Sequence, residues 1–400
     1  MVLGPVAISD SIYWIGVDDE IKELFESLWP LPFGISYNAY AVIGSDAVAL
    51  IDTVDERYTY EYLGKVKEVV KDFDRIRYIV INHLEPDHHG ATPHVLDVMP
   101  QTKVVTTPIG SKILKSIYRI PEGRIHIVRD GDRITLGGKT LRFIYTPWLH
   151  WPETMVTYIE EDRILFSCDA FGSYGALRTN IFDDELDMDF YLEEARRYFS
   201  NIVIKYTKNV METLEKLKNL EIKVLAPSHG PIYRSNINRI IELYRKWSKP
   251  ELEKDRVVLV YGSMYGRSEA IVEKISRELG NVGIKLIVHD VSLSHPSYIL
   301  SDVVEAYVVI AVYPSYDSGI FPYMENLLSL FQLKQIGRGR SIAIVNTYSW
   351  APTARYAVDL ATKAGFKIIE PIVETKSIPD QDELKKLEIL IQNILKEIGT

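Results

Sequence analysis

Between Asn82 and Gly90 the chain reads NHLEPDHHG, so that His83, Glu85, Asp87, His88 and His89 share one turn. Imidazole nitrogens and carboxylate oxygens at this density are what a bound cation requires. Pro86 and Gly90 argue against a regular helix through the stretch. Further residues of the same kind follow apolar runs: His150 beyond LRFIYTP, Asp169 directly after RILFSC, and His229 after IKVLAPS. His89, adjacent to His88, must point elsewhere, and His94, His126, His289 and His295 have no such partners in the sequence. The remaining set is His83, Glu85, Asp87, His88, His150, Asp169 and His229. It exceeds the needs of one ion, about four ligands for zinc or about six for iron, and suits two. With no thiolate it is compatible with Fe, Mn or Zn, and a residue between the histidine sets, such as Asp169, is placed to bridge. Without a cation, burial would cost on the order of several kcal/mol per unpaired charge.

A second group lies in three later loops. YGSMYGRSEA contains Ser263, Met264, Tyr265, Gly266, Arg267 and Ser268, which supply hydroxyls, a backbone able to curl and a helix start. Successive N–H groups ahead of a helix N-terminus make a phosphate nest. No Walker A lysine follows, and no GxGxxG pattern is present, so a dinucleotide is less favoured. AVYPSYDSGIFP brings Pro314, Ser315, Tyr316, Asp317, Ser318 and Gly319; NTYSWAPTA brings Thr347, Tyr348, Ser349, Trp350 and Ala351. Tyr316 and Trp350 are aromatics fit to flank a planar ring system.

The elements that must position these residues form two patterns. Up to about Lys249, short runs rich in Val, Ile and Tyr alternate with helical-period segments such as YEYLGKVKEVVKDF, an α/β pattern of sheets covered by helices. Four of those runs place ligand-type residues just past their carboxyl ends, where loops build sites. A charged stretch from Lys246 to Arg256, including Pro250, reads as a linker between residues 1–250 and 251–400. Beyond it, RVVLVYG, IKLIVHD, AYVVIAV, SIAIVNT and FKIIEPIVE alternate with helices over Ser268–Leu279, PYMENLLSLF, TARYAVDLATKAG and Asp382–Ile398, while a polar segment follows IKLIVHD. Five such strands predict a doubly wound parallel five-stranded sheet.

Composition narrows the class. A chain of 400 residues is long for one core, and 46% hydrophobic with 25% charged residues is globular usage. A net charge of −9 argues against nucleic acid as a partner. No secretory leader or membrane-length apolar run is seen, so the expected location is cytoplasmic. The single cysteine, Cys168, excludes an internal disulfide and reads as a small core residue.

His83-x-Glu85-x-Asp87-His88, followed in order by His150, Asp169 and His229, resembles the metallo-β-lactamase fold in its flavodiiron-protein version. Hydrolytic members of that fold carry His-x-His-x-Asp-His and bind zinc; here the second histidine is Glu85, a harder and charged donor that favours iron. Ser-Met-Tyr-Gly-x-Ser and Thr-Tyr-Ser-Trp-Ala-Pro resemble the flavin loops of the flavodoxin module of the same family, with Ser349 where many relatives have glycine. The resemblance spans about Asp10 to Ile398. It implies an αββα sandwich of metallo-β-lactamase type over 1–250 and a flavodoxin-like domain over 251–400. It also implies FMN and an oxo- or hydroxo-bridged two-iron centre.

By that resemblance His83, Glu85 and His150 hold the iron nearer the flavin, Asp87, His88 and His229 hold the other, and Asp169 bridges. Tyr198 matches a family position near the diiron pocket, where it would be catalytic; the alternative is a packed helix tyrosine. Such proteins reduce dioxygen to water or nitric oxide to nitrous oxide. A separate donor is implied (rubredoxin, a flavin reductase or reduced deazaflavin), since no Cys-x-x-Cys pair is present. So is a head-to-tail homodimer or tetramer, in which each flavin serves the partner's irons. The competing reading is a binuclear zinc hydrolase with an appended flavodoxin module.

Overall fold

The computed structural model describes residues 3–249, 251–376 and 379–399. The chain divides into two compact units, Met1–Phe199 with Tyr206–Arg245, and Ser200–Lys205 with Lys246–Thr400.

The first unit is built on two sheets. One has seven strands in the order Val6–Ser9, Ile12–Trp14, Tyr40–Ile43, Val48–Ile51, Ile76–Val80, Lys103–Thr106, Ile125–Ile127. The other has five, Arg133–Thr135, Thr140–Tyr145, Met155–Ile159, Ile164–Cys168 and Val224–Pro227. Their inner faces share one apolar core, in which Trp14, Val42, Ile51 and Val80 of the first meet Leu141, Phe143, Met155 and Phe166 of the second. Thr140–Tyr145 and Ile164–Cys168 are both antiparallel to Met155–Ile159, and Val224–Pro227 is parallel to Ile164–Cys168. Three ligand-bearing strands therefore end on one edge of that sheet. The helix Thr59–Val70 buries Thr59, Tyr62, Val66 and Val70, a stripe at spacings of three and four.

The second unit carries five parallel strands in the order Lys285–Asp290, Glu253–Tyr261, Ala306–Tyr316, Ser341–Tyr348, Lys367–Lys376. A two-residue strand, Gly319–Ile320, folds back antiparallel on Ala306–Tyr316 and makes the sheet six-stranded. The turn between them has positive φ at both Asp317 (46°) and Ser318 (62°). That is the geometry of a two-residue hairpin whose twist matches its strands.

Three expectations change. Pro86 and Gly90 do not exclude helix altogether: Pro86–His89 forms a single turn with proline at its start, where a missing N–H costs nothing. The charged linker shrinks, because the helix Ile237–Ser248 runs into it and the strand Glu253–Tyr261 begins inside it; Pro250 lies outside the described residues. The polar segment after IKLIVHD contains the helix Pro296–Val303, whose N-terminus is capped by the His295 ring accepting from the Ser297 N–H. Interspersed serines hide its apolar face. Among the described residues no helix is long and apolar enough to cross a membrane.

Candidate functional site

All seven ligand-type residues of the first unit converge at the strand ends. His83, Glu85, His150 and Asp169 can each offer one atom within 4.8 Å of the others, and so can Asp87, His88 and His229. Asp169 faces both groups with different oxygens. Its Oδ2 is 3.5 Å from His83 Nε2 and 3.3 Å from His150 Nε2, while its Oδ1 is 2.9 Å from His88 Nε2 and 3.4 Å from His229 Nε2. Glu85 Oε2 lies 3.3 Å from His83 Nε2 and 3.0 Å from His150 Nε2; Asp87 Oδ2 lies 3.3 Å from His229 Nε2.

Both oxygens of Asp169, both of Asp87, and Nε2 of His88 and His229 are buried without a hydrogen-bond partner among the described residues. Buried polar atoms are seldom left so. Here they point at one another without hydrogen-bond directionality, as donors around a cation do. Electrostatics agree. Burial alone would lower the imidazole pKa values, but Glu153, Glu85 and Asp169 lift His83 to about 10, and Asp169 with Asp87 lifts His229 to about 10. His88 and His150 rise to about 9 against the same burial. Burial opposes ionisation of Asp169, yet the surrounding imidazoles hold its carboxyl well below the usual range. Such a pocket takes metal ions in exchange for protons, so the residues fit a two-metal centre.

The loops are fixed from behind. Asn82, which precedes His83, donates its backbone N–H (2.8 Å) and its amide (3.1 Å) to Asp52, and Thr157 donates to its Oδ1 (2.8 Å). Burial pushes the Asp52 carboxyl up to about 6. His83 Nδ1 stands 2.9 Å from Glu153 Oε1, which also accepts the Leu84 N–H at 3.0 Å. Burial works against the Glu153 charge, but the contact with His83 outweighs it and keeps the carboxyl below the usual range. His229 Nδ1 donates to the Ser36 carbonyl at 2.7 Å. Gly230 follows with φ of +75°, and a Cβ there would lie 2.0 Å from Ser173 Oγ.

His89 turns away: its Nε2 donates to the Leu84 carbonyl at 2.6 Å and its ring meets Tyr118 edge-on. Cys168 is buried beside Asp169, and burial pushes its thiol well up, so it offers no thiolate. Tyr198 is fully buried, its ring 5.7 Å from that of His229 and 5.1 Å from that of Tyr174. Neither tyrosine hydroxyl has a hydrogen-bond partner among the described residues. Burial, then Asp169 and Glu85, drives the Tyr198 pKa well up, so the hydroxyl keeps its proton. Sequence reasoning missed Asp52, Glu153 and Tyr174. Asp52 closes the strand-like run AVALID and Glu153 follows His150 by three positions, so position was the available signal.

In the second unit a cleft at the carboxyl strand ends is walled by Met264, Tyr265, Arg267, Ser268, Pro314, Ser315, Thr347, Tyr348 and Ser349. The helix Arg267–Gly280 opens on Gly266, φ +79°, with no side-chain cap on its first N–H groups; Ser263 Oγ accepts from the Gly266 N–H at 3.1 Å. Uncapped N–H groups at the end of a helix dipole suit a phosphate. Ser268 and Thr347 hydroxyls lie 3.2 Å apart and join two of the loops. Tyr316, Asp317, Ser318 and Gly319, and Trp350 with Ala351, continue these loops outside the walls of the cleft. Tyr265 is 88% exposed and Trp350 72%, so these loops present two large aromatic faces at the surface. These residues fit a flavin mononucleotide.

Comparison with known proteins agrees in both halves. A family model described as ODP family beta lactamase matches residues 35–230, and a flavodoxin model matches residues 259–389. The chain is 31% identical to a nitric oxide reductase from Moorella thermoacetica, over 99% of each protein. A variant of the flavo di-iron protein from Thermotoga maritima superposes with a TM-score of 0.91 at 31% identity, covering 100% of each chain. The chain belongs to the flavodiiron proteins. A further solved flavodiiron neighbour, the rubredoxin oxygen:oxidoreductase of Desulfovibrio gigas, has a TM-score of 0.94 at 26% identity over 98% of each chain. The anaerobic nitric oxide reductase flavorubredoxin of Escherichia coli is 31% identical over 95% of this chain and 80% of its own length. This flavodiiron protein is an oxidoreductase, its flavodoxin unit implies FMN, and its His/Asp/Glu cluster is where a diiron centre fits. The zinc-hydrolase alternative is not favoured by these relatives.

Proposed function

We propose that this flavodiiron protein reduces dioxygen to water, nitric oxide to nitrous oxide, or both. In the proposed arrangement, residues 1–250 form the reductase module and 251–400 the flavin module. The observation that carries the reading is Asp169, whose two oxygens face two separate donor groups, with Glu85 where a zinc hydrolase would place an imidazole. His83, Glu85 and His150 would hold one iron, Asp87, His88 and His229 the other, and Asp169 would bridge them. Ser263 to Ser268, Pro314 to Gly319 and Thr347 to Ala351 would hold FMN.

When bound, FMN collects electrons singly or in pairs and the iron pair delivers them to a diatomic oxidant. The chain's own residues supply the rest. Three carboxylates would offset half of the charge of two oxidised irons and would lower their potential, so that the substrate can oxidise them. Phe25 and Tyr198 pack against His229, Tyr174 packs against both of them, and together they keep water from that side of the pocket. The Tyr198 hydroxyl, held protonated and without an acceptor among the described residues, would be a donor ready for a bound ligand. Overall, O2 takes four electrons and four protons to give two waters; two NO take two electrons and two protons to give N2O and one water.

The proposal extends to partners. Rubredoxin, a flavin reductase or reduced deazaflavin would supply electrons, and a head-to-tail homodimer or tetramer would set each flavin beside a partner's irons, in the cytoplasm. Elemental analysis of anaerobically purified protein tests the reading. Two irons and one FMN per chain are expected; two zincs with esterase or thioesterase turnover would overturn it.

A further inference from the structure

The two donor groups carry the same ligand charge: two imidazoles, one terminal carboxylate and one oxygen of Asp169 each. What stands behind the imidazoles differs. His229 Nδ1 meets a neutral carbonyl, that of Ser36, at 2.7 Å. His88 Nδ1 is buried with no hydrogen-bond partner among the described residues. His83 Nδ1 alone of these meets a carboxylate, Glu153 Oε1 at 2.9 Å, on a residue 2% exposed.

Glu153 is built to stay there. Its Oε1 also takes the Leu84 N–H at 3.0 Å, and its carbonyl accepts from Thr107 Oγ1 at 3.1 Å. Its Oε2 is buried with no hydrogen-bond partner among the described residues, so His83 and the Leu84 N–H share the charge between them. A carboxylate on the far nitrogen of a metal-bound imidazole fixes the tautomer and raises ligand basicity.

Resting on the iron reading above, we propose that Glu153 is a positioning residue that makes the two irons electronically unequal. Its charge, passed through His83, favours the Fe(III) member of the one-electron Fe(III)/Fe(II) couple at the His83–Glu85–His150 position over the other. The two irons then reduce in sequence, and a half-reduced pair persists over a finite range of applied potential.

Glu153→Gln separates charge from shape, because the amide oxygen still accepts from His83 and Leu84. Iron-loaded wild type and variant are titrated electrochemically, with the half-reduced pair followed by electron paramagnetic resonance and each iron by Mössbauer spectroscopy. The variant is expected to keep two irons and the wild-type fold, to shift one site's Fe(III)/Fe(II) ratio about tenfold toward Fe(II), and to lose much of the half-reduced signal. Glu153→Asp, which keeps the charge, should restore most of it. Wild-type-like titration of Glu153→Gln, equal shifts at both irons, or loss of an iron from the variant would each overturn the proposal. The last would make Glu153 a structural staple. If wild type itself takes up no iron, the functional reading fails separately. Cobalt(II) then reads the same inequality, Glu153→Gln weakening one of two binding steps about tenfold and sparing the other; equal effects on both would overturn it.

Discussion

His88 Nε2 stands 2.9 Å from Asp169 Oδ1, yet neither atom makes a hydrogen bond among the described residues. Two buried polar groups in that relation are arranged as donors around a cation would be. Asp169→Asn removes one of the three carboxylate charges, the one that both groups share. It should leave one iron or none per chain and cut turnover by more than about 100-fold, since even outer partners of metal ligands are worth 10–100-fold. Iron analysis with single-turnover kinetics checks this.

On the proposed reading, Glu85 decides the metal. Its Oε2 lies near both His83 and His150, so an imidazole in its place would soften one whole donor group. Glu85→His, reconstituted with equal iron and zinc, should raise the zinc-to-iron ratio at least about tenfold over wild type. An unchanged ratio would show that selection lies elsewhere.

Protons and metal compete for the same imidazoles. In the metal-free protein His83 and His229 are raised from 6.5 to about 10, and His88 and His150 to about 9. Groups whose folded pKa is raised give stability that is full below pH 6.5 and lost as pH climbs through about 9 to 10. Thermal unfolding of metal-free protein should therefore show Tm falling from pH 6.5 to 10, while iron-loaded protein changes little. Parallel curves would contradict the site's electrostatics.

His89 is a structural neighbour of the site. Its Nε2–H donates to the Leu84 carbonyl at 2.6 Å and its ring packs on Tyr118. His89→Ala should keep two irons per chain and lose about 1–3 kcal/mol of stability. Denaturant unfolding and iron content, measured on one preparation, distinguish this from a ligand's role.

On the proposed reading, Gly266 shapes the flavin loop. Its φ of +79° costs glycine nothing, and a Cβ would meet nothing within 4 Å, so Gly266→Ala adds backbone strain alone. At about 1–2 kcal/mol that predicts FMN binding weaker by roughly tenfold with the fold intact. Fluorescence titration of flavin-stripped protein measures it.

The seven ligand-type residues are legible in the sequence because each lies close behind a strand-like run, and β-topology sends those ends to one edge. The flavin loops are legible for the same reason. Glu153 is not, because its meaning lies in reaching His83 across 70 positions, a closure only the packed sandwich provides. Asp52 is hidden likewise: a lone carboxylate after a strand signals nothing until Asn82 is seen against it. The helix Pro296–Val303 escapes because its serines break the apolar period, and the shortened linker because charge does not prevent Ile237–Ser248 from continuing as a helix.

Rapid mixing reads the central claim most directly. Anaerobically reduced protein, wild type and Asp169→Asn, is mixed with NO and with O2 while flavin and iron absorbance are followed. The account predicts that wild type reoxidises its flavin with at least one of the two gases far faster than Asp169→Asn. Equal rates in the two proteins would contradict it.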